Sequence, residues 1–202
     1  MTIERGRDWG SVEPFPEGGL IVDSDLALSA LLMVLRAADE PIPAIALTAG
    51  DLHRTLGGPD TATRVREGEA TVAAIDVAEV RFEGQTRLMV AHARLGRLFG
   101  GDGVVVMNAQ WIDELDLGPR SHPGDGMLDL TSGSLGLRQR LQARTRARTG
   151  THLPHPGLTT SRADRVEWTA RRPLSLHIDG AAVGRTRTLG IDLLPTQVRV
   201  WV

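Results

Sequence analysis

The distribution of apolar residues divides the chain into two parts with different predicted secondary structure. Up to about residue 62, short apolar runs at 20–22 and 44–47 alternate with segments that carry helix-capping residues, which predicts strands and helices in turn. Leu26 to Ala38 has apolar residues on nearly every face, so we expect this helix to be largely buried. From about residue 69, apolar and polar residues alternate, as in antiparallel strands with one solvated face.

The second part contains one predicted helix, Leu135 to Arg148, with Gly150 as its stop signal. Strands are predicted at 70–80, 87–93, 104–108, 165–170, 174–178, 186–194 and 197–202. The sequence therefore predicts an α+β protein, with a short N-terminal α/β fragment followed by a β-sandwich-like domain with one inserted helix. We expect a flexible arm at residues 1–18, the α/β fragment at 19–62 and the sandwich at 63–202.

Composition and charge narrow the functional classes. The 202 residues include no cysteine, which excludes disulfides and thiolate chemistry and suits a reducing cytoplasm. The formal net charge is −2, tyrosine is absent and aromatics make up 3%, so we expect no nucleic-acid partner. The polar N-terminus and the absence of a long apolar run predict a soluble, cytoplasmic protein.

The turn-rich segment before the strand at Met127 is the main candidate for chemistry. Pro123-Gly124-Asp125-Gly126 predicts a tight reversal, because proline fixes one φ and glycine tolerates positive φ. Backbone carbonyls would then converge near the Asp125 carboxylate, and hard cations such as Mg²⁺ or Ca²⁺ prefer such oxygen ligands. The alternative is that Asp125 accepts hydrogen bonds from the amides of its own turn.

Further motifs follow in a characteristic order. In the second half, Asp125-Gly-Met-Leu-Asp129 precedes a leucine-rich helix, Gly150-Thr-His152 and then Ile178-Asp-Gly180. Leu194-Pro195 and a closing Val-Arg-Val strand complete the series. This order resembles the diacylglycerol kinase and sphingosine kinase family, which shares its fold with NAD kinases.

A segment of the first half is also similar to this family. Residues 47–57, with the sequence LTAGDLHRTLG, are similar to the family's Gly-Thr-x-Asn-Asp stretch and keep Thr48, Asp51 and Arg54. Gly50 stands where the family has asparagine. The resemblance covers roughly residues 20 to 202.

The resemblance implies a lipid kinase with two domains. Residues 19–62 would be the remnant of an ATP-binding α/β domain, with Asp25, Thr48 and Asp51 as cofactor-binding residues. Residues 63–202 would be the lipid-kinase C-terminal domain. The turn would be a structural Mg²⁺ site, with the Asp125 carboxylate and the carbonyls of His122 and Met127 as ligands.

The sequence departs from the family in three ways, of which the first two count against ATP binding and phosphotransfer. The family's Gly-Gly-Asp-Gly-Thr phosphate turn is represented by residues 23–27, Asp-Ser-Asp-Leu-Ala, which lack the glycines. Ala181 occupies the position of the general base, and Asp179 is the nearest substitute carboxylate. Only about twenty residues precede the phosphate turn, where the kinases have further β-α units. We therefore expect a narrow sheet whose edge needs a cover or a partner.

The resulting hypothesis is a degenerate lipid-kinase-like protein that binds a lipid, a nucleotide or a protein without transferring phosphate. The first alternative is an active ATP-dependent lipid kinase with a divergent site. The second is a structural interaction module that self-associates. The arginines of the helix at 135–148 are typical of a solvated face, and their functional alternative is attraction to an anionic lipid surface.

Overall fold

The computed structural model describes residues 10–58 and 60–202, and two β-sheets of different construction dominate it. The first sheet has five strands, which in their order across the sheet are β1 (Gly10–Val12), β4 (Thr71–Ile75), β15 (Val198–Trp201), β3 (Ile45–Leu47) and β2 (Leu20–Val22). β2, β3 and β15 are parallel to one another, β4 is antiparallel to β15, and β1 is antiparallel to β4. The expected α/β fragment is therefore part of this sheet.

The second sheet has eight antiparallel strands and forms the β-sandwich-like part. In order across the sheet they are β12 (Leu158–Ala163), β11 (Leu128–Gly133), β8 (Gly100–Met107), β7 (His92–Arg97), β13 (Arg165–Ile178), β14 (Ala181–Leu193), β5 (Ala78–Phe82) and β6 (Gln85–Met89). A small hairpin consists of β9 (Trp111–Ile112) and β10 (Leu115–Asp116). The predicted α+β class is confirmed.

Four helices lie among the described residues: α1 (Asp25–Ala38), α2 (Asp51–Thr55), α3 (Thr61–Glu67) and α4 (Leu137–Ala147). Ser24 caps α1, since its Oγ accepts a hydrogen bond from the amide of Ala27 at 3.2 Å. One face of α1 is buried, but Leu26 and Val34 are 47% and 66% exposed. The prediction that this helix is largely buried is therefore wrong, because only one side of it packs against the described chain.

The chain passes between the two sheets at two neighbouring places. The apolar run predicted as one strand over 70–80 is broken at Asp76 and Val77, so that β4 belongs to the first sheet and β5 to the second. The chain returns from β14 to β15, and there the amide of Leu194 donates to the carbonyl of Val77 at 2.8 Å. Two strands from the predicted second domain thus complete the first sheet.

The predicted arm is described only from Gly10, because residues 1–9 lie outside the described residues. Residues 10–12 are an edge strand, β1, and not a loose segment. At the opposite edge, Leu20 and Ile21 of β2 are 41% and 60% exposed. No described strand pairs with that edge, so self-association through it stays a prediction.

Of the four hydrophobic clusters among the described residues, the two largest correspond to the two sheets. One core lies between α1, α2 and the first sheet, and Val77, Val90 and Ala91 extend it to the junction with the sandwich. The other fills the interior of the eight-stranded sheet. Within the described ranges, no helix is both long enough and apolar enough to cross a membrane.

Candidate functional site at the junction of the sheets

Asp51 and His92 form the central contact of the junction. Asp51 begins α2 directly after β3, and its Oδ2 lies 2.9 Å from Nε2 of His92 at the start of β7. The amide of Asp113 donates to Oδ1 of Asp51 at 2.9 Å. Burial of His92 opposes a charged imidazole, but the hydrogen bond to Asp51 and the surrounding carboxylates outweigh it and raise the pKa of His92. A charge-assisted hydrogen bond therefore joins the two parts of the molecule.

Asp25 lies beneath the start of α2. Its Oδ2 accepts a hydrogen bond from the amide of Asp51 at 2.7 Å, and its Oδ1 accepts one from the amide of Leu52 at 3.3 Å. Gly50 allows this approach, because a Cβ at that position would lie 2.4 Å from Oδ1 of Asp25. Burial and repulsion from Asp179 raise the pKa of Asp25 to about 7. An asparagine at position 50, as in the family, would collide with this carboxylate.

Asp179 is a second buried carboxylate, and both of its oxygens accept hydrogen bonds from backbone amides. Its Oδ2 accepts from the amide of Val90 at 3.0 Å, and its Oδ1 accepts from the amides of Ala91 and His92 at 2.9 and 3.1 Å. These contacts break the predicted strand 87–93 into β6 and β7, since the three amides bind Asp179 and no neighbouring strand. Burial raises the pKa of Asp179, although His92 and the amides oppose the shift.

The other motif residues of the first half bind the backbone or an aromatic ring. The hydroxyl of Thr48 donates to the carbonyl of Val22 at 3.2 Å and so connects β3 to β2. The guanidinium of Arg54 lies 3.6 Å from the ring centroid of Trp111 and donates to the carbonyl of Asp113 at 2.8 Å. Of the three predicted cofactor-binding residues, the structure therefore brings Asp25 and Asp51 together, whereas the Thr48 hydroxyl is used between strands.

The predicted magnesium turn is held by protein contacts. Oδ1 of Asp125 accepts from the amide of Met127 at 3.1 Å, and the carbonyl of His122 accepts from the amide of Asp125 at 3.3 Å. Oδ2 of Asp125 forms an ion pair with Arg162, which also lies 3.3 Å from Asp129.

Arg162 competes with a hard cation for Asp125, because its guanidinium already neutralises the carboxylate. Across residues 10–58 and 60–202, no three histidine, aspartate or glutamate side chains are grouped to hold a metal ion. Magnesium at this turn stays a prediction of the family resemblance.

Asp76 and His92 are two of the buried polar residues that sequence reasoning missed. The Oδ2 of Asp76 accepts from the amide of Gly126 at 2.7 Å, and its Oδ1 accepts from Nε2 of Gln197 at 2.8 Å. Asp76 therefore ties the predicted turn to the crossing between the sheets. The sequence feature that could have identified them is a single charged or imidazole residue inside an apolar run, as in Ala74-Ile-Asp76-Val and Val90-Ala-His92-Ala.

Comparisons with known proteins agree with this architecture. Residues 61–202 match the family model described as the YegS C-terminal NAD kinase beta sandwich-like domain. Similar solved structures include three from Bacillus anthracis str. Sterne, each described as a diacylglycerol kinase, at 18%, 17% and 16% identity. The alignments cover 90% of this chain and 76%, 75% and 77% of those chains, with TM-scores of 0.66, 0.60 and 0.66. No curated protein matches the chain. The fold is therefore diacylglycerol-kinase-like and related to NAD kinases, as the sequence resemblance predicted.

Proposed function

Because the chain belongs to the YegS C-terminal NAD kinase beta sandwich-like family, we propose that it is a ligand-binding protein that keeps the diacylglycerol-kinase-like fold and has lost phosphotransfer. The observation that carries the proposal is that the carboxylates of Asp25 and Asp179, near the junction of the sheets, are occupied by hydrogen bonds within the protein. Asp25 accepts hydrogen bonds from two backbone amides and Asp179 from three. A kinase needs carboxylates that are free to hold magnesium or to accept a proton, and both oxygens of each of these two carboxylates already accept hydrogen bonds from backbone amides.

The phosphate turn supports the same proposal. In a glycine-rich turn, backbone amides point toward the phosphate and the absence of side chains permits a close approach. Here the hydroxyl of Ser24 already accepts from the amide of Ala27 at 3.2 Å, and Asp23 adds negative charge to the segment. A phosphate would therefore meet carboxylates in place of amides.

The residue at the position of the general base also supports the loss of phosphotransfer. Ala181 begins β14 and has no group that accepts a proton. Loss of a positioned general base lowers a rate by about 10² to 10⁴. Asp179, the substitute named above, is 6% exposed, and both of its oxygens accept from amides. It is therefore poorly placed to meet a substrate hydroxyl.

One observation favours the alternative of an active lipid kinase. Asp51 remains 18% exposed, and its hydrogen bond to the buried His92 resembles the pairing of a base with an orienting group. In that case the base would come from α2 and not from β14. The test of the proposed function must therefore include Asp51.

We expect the purified protein to transfer no radiolabelled γ-phosphate from ATP·Mg²⁺ to diacylglycerol or to sphingoid bases above a control without protein. The reason is the absence of both a phosphate cradle and a base. The measurement is thin-layer separation of labelled lipid, with Asp51→Asn as the matched variant. Turnover that Asp51→Asn abolishes would refute the loss of phosphotransfer and establish the alternative.

An apolar cleft gives the proposed binding role a candidate lipid site. The cleft has a volume of about 300 Å³ and lies between α1 and the sandwich. Its apolar lining comprises Leu26, Ala30, Met33, Leu88, Ile178 and Val183. Such a lining suits an acyl chain better than a nucleotide. A lipid is therefore the ligand class that this cleft favours, and self-association through β2 is the candidate for a protein partner.

A further inference from the structure

A second, larger groove crosses the outer face of the eight-stranded sheet. This groove is positively charged, whereas the junction of the sheets carries carboxylates. Its volume is about 730 Å³. Six arginines line it: Arg94, Arg97, Arg140, Arg171, Arg172 and Arg185. The rest of the lining contains one acid, Asp102, together with glycine, serine, leucine and histidine. We call this feature the arginine groove.

Strand register places part of this set on one face. Arg94 of β7 lies opposite His177 of β13, and Ser175 of β13 lies opposite Arg185 of β14. Leu176, between the two β13 positions, points the other way and is fully buried in the sandwich core. Because side chains alternate along a strand, the four polar residues form the floor of the groove.

The walls come from an irregularity and from a helix. The pairing of β13 with β14 shifts register between Thr169 and Leu174, and Arg171 and Arg172 lie in that interval. On the other side, Nε of Arg140 on α4 donates to the carbonyl of Leu135 at 2.6 Å. The Arg140 guanidinium reaches the groove beside Gly100, where an added Cβ would lie 3.2 Å from its Cζ. The backbone positions of these arginines are therefore set by the fold.

The charge of the groove is not balanced within the described part of the chain. Arg171 lies 3.6 Å from Asp102, and none of the other five arginines has a described carboxylate within 4.0 Å. Arg94 and Arg185 each donate one hydrogen bond to a carbonyl, of Gly96 at 2.6 Å and of Pro173 at 2.8 Å. Each guanidinium has five N–H donors, so most donors stay free for a ligand.

We propose that the arginine groove binds a multiply charged phosphate ester. Guanidinium groups bind phosphate oxygens in bidentate geometry, and several converging on one groove favour a ligand with more than one negative charge. The ligand's phosphate is either free in solution or part of a lipid headgroup, and both sources present the same chemistry. The proposal deepens the proposed function. It rests on that function because it treats the ligand as a molecule that the protein binds and does not phosphorylate.

The test measures binding of inorganic tripolyphosphate to the full chain by titration calorimetry at an ionic strength of about 0.15 M, where the Debye length is about 8 Å. We expect saturable binding to wild type and a loss of at least about tenfold in affinity for Arg172→Ser/Arg185→Ser, since each charge-assisted hydrogen bond contributes substantially. The matched control is Arg138→Ser/Arg146→Ser, which removes the same charge from α4 outside the groove lining. The control should stay within about twofold, because it changes only the general attraction between exposed charges, which salt screens.

A second arm separates the two sources of phosphate. Flotation with phosphatidylcholine vesicles that contain one-fifth phosphatidic acid tests a lipid headgroup, and vesicles with phosphatidylglycerol control for surface charge alone. Selective capture by phosphatidic acid that the groove variant loses supports a lipid source, and tripolyphosphate binding without capture supports a soluble one. Absence of binding to both probes, or an equal loss in both variant pairs, would overturn the proposal.

The two proposals fail in distinguishable ways. Labelled lipid in the kinase assay would refute the loss of phosphotransfer and leave the groove intact. Failure of tripolyphosphate and phosphatidic acid to bind would refute the groove and leave the loss of phosphotransfer intact.

Discussion

Substitution of Asp179 by alanine should lower the free energy of unfolding by about 3 to 5 kcal/mol, because it leaves three buried amides without an acceptor. These are the amides of Val90, Ala91 and His92, which lie where the chain leaves β6 and enters β7. The measurement is chemical unfolding in urea at constant pH. The effect should exceed that of any exposed acid on the same sheet.

The control for this variant is Asp164→Ala, which removes an exposed carboxylate from the connection between β12 and β13. We expect that variant to stay within about 0.5 kcal/mol of wild type. A small loss of stability in Asp179→Ala would show that Asp179 does not hold the connection between β6 and β7, and would return it to consideration as a catalytic group.

The second large effect is a dependence of stability on pH that originates at Asp25. Its folded pKa of about 7 lies above the ordinary value of 3.8, so the folded state binds the proton more tightly. This contribution is fully present below pH 3.8 and is lost as the pH rises through 7. Linkage then predicts a loss of about 3 kcal/mol of unfolding free energy between pH 5 and pH 8. The raised pKa of His92 adds a loss of the same sign.

Asp25→Asn isolates this contribution from those of the other shifted groups at the same junction, Asp179 and His92. The asparagine keeps an oxygen for the amide of Asp51 but cannot ionise, so the variant should lose most of the slope. Glu40→Gln, an exposed acid beyond the end of α1, is the matched control and should keep the slope. Equal slopes in wild type and Asp25→Asn would contradict a raised pKa.

Local pattern was sufficient to predict much of the fold. The capping serine and apolar spacing placed α1, and the alternation of residues after position 69 placed the antiparallel strands. The helix predicted at 135–148 is present as α4 over 137–147. These features depend on residues that are close together in the sequence, so a single sequence is sufficient to predict them.

The pairing between distant segments was not readable from the sequence. The run 70–80 has uniform β character, and only the contacts of Asp76 with Gly126 and Gln197 explain its break. The return of β15 to lie parallel to β3 is likewise a contact across most of the chain. Propensity describes the strand, whereas the sheet that receives it depends on packing.

The candidate site was also predictable where it depends on local motifs and not where it depends on contacts between distant segments. Asp25 and Asp51 were found through the motif resemblance, and the structure brings them together. His92 contacts Asp51 from 41 positions away and belongs to no motif in the sequence, so the pair could not be inferred. The arginine groove was also hidden, because its six members come from three strands and a helix, with Arg97 at the end of β7.

The central claim is that the junction carboxylates are buried in structural hydrogen bonds and are not open to magnesium and phosphate. Titration of ¹³C-labelled aspartate carboxyls by NMR tests it most directly. The account predicts one carboxyl that titrates near pH 7, that disappears in Asp25→Asn, and that does not shift when ATP·Mg²⁺ is added. Titration of Asp25 near the ordinary value of 3.8, or a shift of its signal on addition of ATP·Mg²⁺, would contradict it.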